Sequence, residues 1–298
     1  MEYSKIFESS VQGVIDYLKG AGLKSMVLGI SGGIDSTVCA AIGKEVHKRE
    51  PGIEFYGVSL PCSTNGKDEV DTALMVGTAF FEPGKFWEES LEPGFLCLKD
   101  LVHGDNTPLS LGNIKARLRM IYLRDLAAKT GGLLLSTGNM TEDLLGFFTI
   151  AGDVGDLSPI AELWKHEVQD LAAWIMEDTK NEAEKEAIQY SLSLTPTDGN
   201  GVQAGGDLAQ IAPSLSSYKE VDEVLMSYMA YKKKPTEAML FEFQKIADKY
   251  GEETTTRIIE RHKKSEFKRL PSPVTIKLEG IDRGEPSTEE LLKHVGKA

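Results

Sequence analysis

"GISGGIDSTV", residues 29–38, halts an apolar run on two adjacent glycines and resumes as a helical pattern behind Ser31, Asp35 and Ser36. Upstream, "KSMVLGI" (24–30) has the length and apolarity of a buried strand. Downstream, "STVCAAIGKEVHK" spaces Val38, Ile42 and Val46 four residues apart, one stripe of a helix. The stretch therefore predicts a strand, a tight turn and a helix. The unit recurs: "IEFYGVSLP" (53–61) reads as the next strand, and "KDEVDTALMVGTAF" behind "STNG" as the next helix, with Val70, Ala73, Leu74 and Gly77 on one face. Strands separated by helices imply a parallel sheet, because parallel neighbours need a long crossover.

Working outward, "NIKARLRMIYLRDLAAK" (113–129) predicts a long helix lined by Ile114, Leu118, Ile121, Tyr122 and Leu126. "GGLLLSTGN" supplies another buried strand that leaves into a polar turn. "IAELWKHEVQDLAAWIMED" reads as a helix with Trp164, Val168, Leu171 and Ile175 in register, behind the loop "GDVGDLSP". The alternation persists to about residue 177. The first twenty residues form a surface helix through Phe7, Val11, Val14, Ile15 and Leu18, without the basic leader or continuous apolar core of an export signal. Glycines and prolines mark 195–213 as a mobile segment, 218–265 returns to helical spacing, and "EFKRLPSPVTIKL" reads as an extended tail. With no internal repeat and no linker, residues 1–298 read as a single domain.

Composition narrows the function classes. At 41% hydrophobic and 27% charged residues the chain is long enough for a sizeable core. No run approaches the roughly 18 apolar residues of a membrane span, so no membrane partner is expected. A net charge of -13 argues against nucleic-acid binding by bulk electrostatics. The three cysteines, Cys39, Cys62 and Cys97, are too widely spaced for structural zinc or a disulfide framework, which fits a reducing cytoplasm. The five histidines lack metal-ligand spacing and read as surface or helix-end residues.

In an open parallel sheet, the turn after a strand presents free N–H groups and the positive end of a helix dipole to a ligand. Gly32 and Gly33 permit close backbone approach, Ser31 and Ser36 add hydroxyls, and Asp35 can hold a magnesium ion against phosphate charge. The expected ligand is a polyphosphate. Neither GxxxxGK[ST] nor GxGxxG occurs, so this is neither the common phosphate loop nor the dinucleotide fingerprint. The turn resembles the "SGGxDS" loop (PP-loop) of the ATP pyrophosphatases.

Two further segments sharpen that resemblance: "STGNMTEDLLGFFTIAGDVGDLSPIAELWKHEV" (136–168) and "GNIKARLRM" (112–120). With the loop, in this order and spacing, the chain from about residue 5 to 270 resembles the ammonia-dependent NAD synthetases. The resemblance implies an α/β fold, a parallel sheet with flanking helices in a three-layer, Rossmann-like sandwich similar to the adenine-nucleotide α-hydrolases. It implies two steps: the nicotinate carboxylate of deamido-NAD attacks the α-phosphorus of ATP, and ammonia then displaces AMP from the adenylate. Carried over by position, Gly29, Ile30, Ser31, Gly32, Gly33, Ile34, Asp35 and Ser36, with Thr137, Lys165 and Thr197, would bind ATP. Asp35 and Glu142 would hold Mg2+, and Asp35 and Lys165 would be catalytic. Arg117, Phe147, Phe148, Asp156 and Lys268 would meet deamido-NAD.

The resemblance also implies a homodimer with deamido-NAD near the interface. Glutamine-dependent members carry an added amidase domain, and nothing precedes the loop-bearing strand here that would make one, so free ammonia is the expected donor, supplied directly or by a separate protein. The chain departs from the family pattern at Ile150 and Phe267, where relatives carry a lysine and a histidine, and by one residue fewer in "GDVGD". Read singly, Glu142 is also an ordinary helix-opening acid, Arg117 and Lys165 solvated helix residues, Phe147 and Phe148 core, and Thr137, Asp156 and Thr197 turn residues. Two alternatives stand beside the synthetase: another PP-loop pyrophosphatase, adenylating a GMP precursor or a tRNA base, and a nucleotide-binding protein without turnover.

Overall fold

The strand–turn–helix unit around Gly32 lies at the centre of the sheet. Strand β1 (Ser25–Gly29) pairs in parallel with β2 (Glu54–Ser59) on one side and β4 (Leu133–Leu134) on the other, and β2 carries β3 (Phe86–Glu88) at the far edge. The computed structural model describes residues 2–102, 107–195 and 206–269. Val27 stands opposite Tyr56 and Leu134, which sets the register of the three inner strands. Helix α2 (Ile34–Arg49) connects β1 to β2, and α3 (Lys67–Phe80) connects β2 to β3. Helices α4 (Glu92–Leu101) and α5 (Pro108–Thr130) then bring the chain back across to β4. Connections therefore diverge from β1 in opposite directions, and the crevice at the carboxyl ends of β1 and β4 is where such a sheet takes its ligand.

Strand alternation sorts the core into two layers. Met26 and Leu28 face a cluster built with α1 (Tyr3–Gly20), α2, α7 (Lys165–Asp178) and α8 (Glu182–Ser193), while Val27 joins Val58 and Leu134 against α4 and α5. Helix α1 buries Val11, Val14, Ile15 and Leu18 as its spacing predicts. Two helix faces differ from expectation. Helix α3 buries Thr72, Ala73, Val76, Gly77, Ala79 and Phe80 and exposes Leu74. Helix α5 buries Lys115, Ala116, Met120, Leu123 and Ala127 and leaves Ile121 65% exposed. In both, small residues face the sheet so that the helix can come close: a side chain at Gly77 would collide with the Phe86 ring, and one at Gly29 would meet Leu123 at 2.9 Å. Helix α7 begins at Lys165 rather than at Ile160, because Trp164 is extended and its N–H is taken by Glu167 at 3.0 Å.

A third cluster joins α6 (Met140–Leu145) to α10 (Tyr218–Lys233) and α12 (Glu252–Lys264) through Leu144, Leu145, Val221, Val224, Leu225 and Ile258. Helix α11 (Glu237–Tyr250) lies between them in sequence, and a 3-10 turn, Glu266–Lys268, ends the described part of the tail. Of the segment expected to be mobile, 196–205 lie outside the described residues, whereas α9 (Gly206–Ile211) is helical and Ile211 and Ala212 are buried. His262 is a core residue rather than a surface one: it is 3% exposed, and its Nδ1 lies 2.9 Å from the Leu144 carbonyl oxygen. Among the described residues no helix is long and apolar enough to cross a membrane.

Candidate active site

Between β1 and α2 the backbone turns on Gly32, whose φ of +84° lies in the left-handed region. A Cβ there would run into the Glu69 carbonyl oxygen and sit 3.0 Å from the Ala73 nitrogen, so the first turns of α3 hold the loop from behind. The serines knit it internally. Ser36 Oγ donates to Gly33 O at 2.9 Å and accepts from the Ser31 N–H at 3.3 Å, and the Gly33 N–H donates to Ser31 Oγ at 3.2 Å. Thr37 Oγ1 also donates to Gly33 O, at 3.0 Å, and lies 2.7 Å from Ser191 Oγ, which ties the turn to α8. The N-terminus of α2 is thus presented to the crevice as an anion site.

Three helix starts converge here. Asp35 lies in the first turn of α2, Glu142 in the first turn of α6, and Lys165 opens α7. Lys165 is 3% exposed, and its Nζ donates to Asp35 Oδ2 and, at 3.0 Å, to Glu142 Oε1. A cation at a helix N-terminus opposes the helix dipole, so the two carboxylates are what hold it. Burial works against the ammonium, but Asp35 and Glu142 outweigh it and keep its pKa well above the ordinary lysine value. Burial pushes the Glu142 carboxyl up to about 7, against the pull of Lys165 and with the repulsion of Asp35. Asn139, fully buried, caps α6 by accepting the Glu142 N–H at 3.0 Å, and its amide donates to Asp35 Oδ1 at 2.8 Å.

A cavity of about 810 Å3 opens over this cluster. Of the residues named from sequence, Gly29, Ile30, Ser31, Gly33, Ile34, Asp35, Ser36, Thr137, Glu142, Phe147, Phe148, Lys165 and Lys268 line it, and Gly32 forms the turn beneath. Arg117 and Asp156 do not line it. Arg117 lies on the outer face of α5 with Nε 3.4 Å from Ile150 O. Asp156 is held by the fold: Oδ1 pairs with Arg124 at 2.6 Å and Oδ2 accepts the Leu134 N–H at 3.0 Å, where the loop prolongs the edge of β4. The acid of this loop that reaches the cavity is Asp153, which accepts the Thr149 N–H at 2.6 Å and whose pKa burial raises. Thr197 lies outside the described residues.

At the far wall the Arg261 guanidinium sits 3.8 Å above the Phe147 ring, and Lys268 Nζ sits 5.3 Å from the Phe148 ring centre. Lys268 donates to the carbonyls of Gly146 at 2.8 Å and Phe148 at 2.5 Å, and burial, then Arg261, lowers its pKa. The cavity therefore has a phosphate-type end, with a glycine turn and a buried lysine, and an aromatic end rimmed by cations.

Residues 6–272 match the family described as NAD synthase. The chain belongs to the NAD synthase family. It is thus an ATP-dependent ligase that makes NAD. The NH(3)-dependent NAD(+) synthetase of Wolinella succinogenes is 29% identical over 89% of this chain and 94% of its own length. That of Pyrobaculum aerophilum is 31% identical over 83% and 86%. The glutamine-dependent NAD(+) synthetase of Thermotoga maritima is 27% identical over 92% of this chain, which spans 45% of that protein. Among solved structures, the NMN synthetase of Francisella tularensis superimposes with a TM-score of 0.72 at 22% identity, covering 92% of this chain and 99% of that one. The NH3-dependent NAD synthetase of Campylobacter jejuni gives 0.69 at 23% identity, covering 93% and 100%. At these identities the structures establish the α/β sandwich of this NAD synthase and leave its site to be argued from its own residues.

Three residues of the site went unnamed in the sequence reading. Asn139 carries a local signal, the "NMTE" start in which a capping residue stands three positions before a glutamate. Asp153 differs from Asp156 only in which way the loop turns, and Arg261 reaches Phe147 from a helix more than a hundred residues downstream. Neither carries a signal in the sequence.

Proposed function

We propose that this NAD synthase amidates deamido-NAD with free ammonia through a nicotinate adenylate, releasing pyrophosphate and AMP. The observation that carries the reading is Lys165, a buried ammonium aimed by Asp35 and Glu142 at the mouth of a glycine turn. Attack of the nicotinate carboxylate on the α-phosphorus of ATP builds charge on phosphate oxygens. The N-terminus of α2 and Lys165 are fixed where they would meet it, which is how preorganised donors lower a barrier. The ring faces of Phe147 and Phe148 offer a stacking surface for the pyridine, and Lys268 and Arg261 supply positive charge beside it. Asp153 faces this end, which makes it the candidate for hydroxyl recognition rather than Asp156. Thr137 lines the ATP end with Ser31 and Ser36.

Asp35 and Glu142 are the carboxylates at the cavity that would hold a magnesium ion: both now face the Lys165 ammonium, so the ion would share them with Lys165 and take the rest of its hard-cation shell from phosphate and water oxygens. Bound there, Mg2+ would neutralise phosphate charge. Ammonia as donor is supported by the relatives matched along most of their length, which are ammonia-dependent, whether ammonia arrives free or from a separate supplying protein. A homodimer is supported by the exposed apolar residues Ile121, Ile150 and Val154 beside Arg117 and Arg124 on α5, a face that a second copy would cover. The three free cysteines fit a cytoplasmic protein.

The test incubates the purified chain with ATP, magnesium and deamido-NAD, adding ammonium or glutamine in separate arms, and follows NAD and AMP. Equal yields of NAD and AMP with ammonium, and neither with glutamine, are expected. AMP without NAD would move the search to another acceptor, such as nicotinate mononucleotide, and NAD from glutamine would overturn the donor.

A further inference from the structure

Behind Lys165, on the side away from the cavity, α10 contributes a carboxylate that none of the chemistry above uses. Asp222 is 0% exposed. Its Oδ1 accepts the Thr141 hydroxyl at 2.5 Å, and its Oδ2 accepts the His166 backbone N–H at 3.1 Å and lies 2.7 Å from His166 Nδ1. Thr141 Oγ1 in turn accepts the Lys165 backbone N–H at 2.9 Å. These two N–H groups are first-turn donors, which a helix leaves without partners of its own, and Trp164 at the cap has no side-chain acceptor to offer them. Asp222, directly and through Thr141, therefore caps α7 from a helix more than fifty residues away and binds the start of α6 to the start of α7. Glu142 follows Thr141, and Lys165 precedes His166.

We propose that Asp222 is a positioning residue of the ligase, fixing the first turn of α7 so that Lys165 Nζ stands between Asp35 and Glu142 at the phosphate end of the cavity. The inference rests on the reading of Lys165 as a group that meets ATP. A buried carboxylate that served packing alone could have been replaced by an apolar side chain, since burial costs it dearly. Two helix starts must keep a fixed spacing here, and the Asp222 carboxylate with Thr141 accepts an N–H from the first turn of α7 at each of two adjacent residues. An asparagine at 222 keeps both contacts with one of them reversed: its oxygen can accept from His166, while its amide donates to Thr141 Oγ1, which still accepts the Lys165 N–H.

The experiment measures steady-state NAD formation, with ATP varied, for Asp222→Ala, Asp222→Asn, Thr141→Val and the Asp222→Ala/Thr141→Val double variant, with Lys165→Ala in parallel. Circular dichroism at the assay temperature confirms folding. A misplacement of the order of 1 Å costs up to about 100-fold, so Asp222→Ala is expected to lower kcat about 10- to 100-fold with the KM for ATP changed less than about threefold. Asp222→Asn is expected to restore kcat to within about threefold of the parent, and the double variant to be no worse than either single change, because the two act through one chain of bonds. A folded Asp222→Ala with parental kcat and a lowered melting temperature would show a structural role only and overturn the proposal, as would an Asp222→Asn as slow as the alanine variant. If Asp222→Ala does not fold, Thr141→Val and Asp222→Asn decide: parental kcat in Thr141→Val overturns it. Lys165→Ala at parental rate would instead overturn the reading of the site on which the proposal stands.

Discussion

Lys165 is placed where both burial and its own helix disfavour a cation, and that cost is the reason to expect it to act on substrate. Replacing it removes a fixed, buried donor from the phosphate end of the cavity, and losses of this kind are about 100- to 1,000-fold. Lys165→Ala is accordingly expected to lower kcat/KM for ATP by about that factor, and Lys165→Met, which refills the volume but leaves Asp35 and Glu142 without their cation, to recover neither AMP release nor the parental melting temperature. Glu142 gives a second prediction with a definite sign. Its carboxyl titrates near 7, above the ordinary value, so it is largely protonated at pH 6 and ionised at pH 8. A metal ligand must be deprotonated, so magnesium should bind the protein more tightly at pH 8 than at pH 6 by titration calorimetry, and Glu142→Gln should weaken binding and flatten that dependence. Asp35 was picked out by the glycine turn itself, and Glu142 and Lys165 only by the resemblance of residues 136–168 to the NAD synthetases; the structure brings the three together at one cavity. Asp222 and Arg261 were not legible in the sequence, since their partners lie 56 and 116 residues away and nothing local distinguishes them from other helix residues.

At the scale of elements, the glycine turn is only as rigid as the helix pressed against it. Gly32 needs its left-handed backbone and also the empty space in front of Glu69. Gly32→Ala must strain the turn or push α3 away, and strain of this sort costs about 1–3 kcal/mol. A drop of several degrees in melting temperature and a raised KM for ATP are expected together, whereas Gly52→Ala, with open space around its Cβ position, should show neither. The alternation through β1, α2, β2, α3, α5 and β4 was readable because parallel strands need helical crossovers, whereas the three-residue edge strand β3 and helix α4 went unread. The faces of α3 and α5 were misread for a physical reason: long apolar residues mark a buried stripe on a surface helix, but a helix that must approach a sheet closely turns its alanines and glycines inward. Leu74 and Ile121 are therefore left outside by the packing at Gly77, Ala116 and Leu123. Ile121 then belongs to an apolar strip with Ile150 and Val154, and a chain of 32.7 kDa should run at about twice that mass in light scattering. Ile121→Asp should return it to monomer mass, and a parent chain already monomeric at assay concentration would remove the dimer from the proposal.

Across the whole molecule, the C-terminal helices matter because they close on α6, the short helix that carries Glu142. Arg261, His262, Lys268 and Arg269 all reach carbonyls between Leu144 and Phe148, placing positive charge and N–H donors at the carboxyl end of that helix where the dipole favours them. His262 makes this closure sensitive to pH. Burial, and then the charges of Arg269 and Lys232, lower its pKa below the free value, with the Leu144 carbonyl opposing them. The unfolded chain, with a histidine near 6.5, therefore binds a proton that the folded chain resists, and stability is lost as pH falls below about 6.5 until the lowered folded pKa is passed. Asp153, Asp222 and Glu142 act in the opposite sense, since their raised pKa values favour the folded state as protons are added. A single melting curve would blend the two effects, so the comparison must be a difference. Urea unfolding of the parent and of His262→Phe at pH 7.5 and pH 5.5 provides it, because the carboxyl contributions are shared and cancel. The parent should lose its advantage over the phenylalanine variant on going to pH 5.5, the more so because a phenyl ring in place of the imidazole can keep the edge contact with Tyr228. An unchanged difference would mean that His262 takes up protons alike in the folded and unfolded chains, and that it does not make the closure on α6 sensitive to pH.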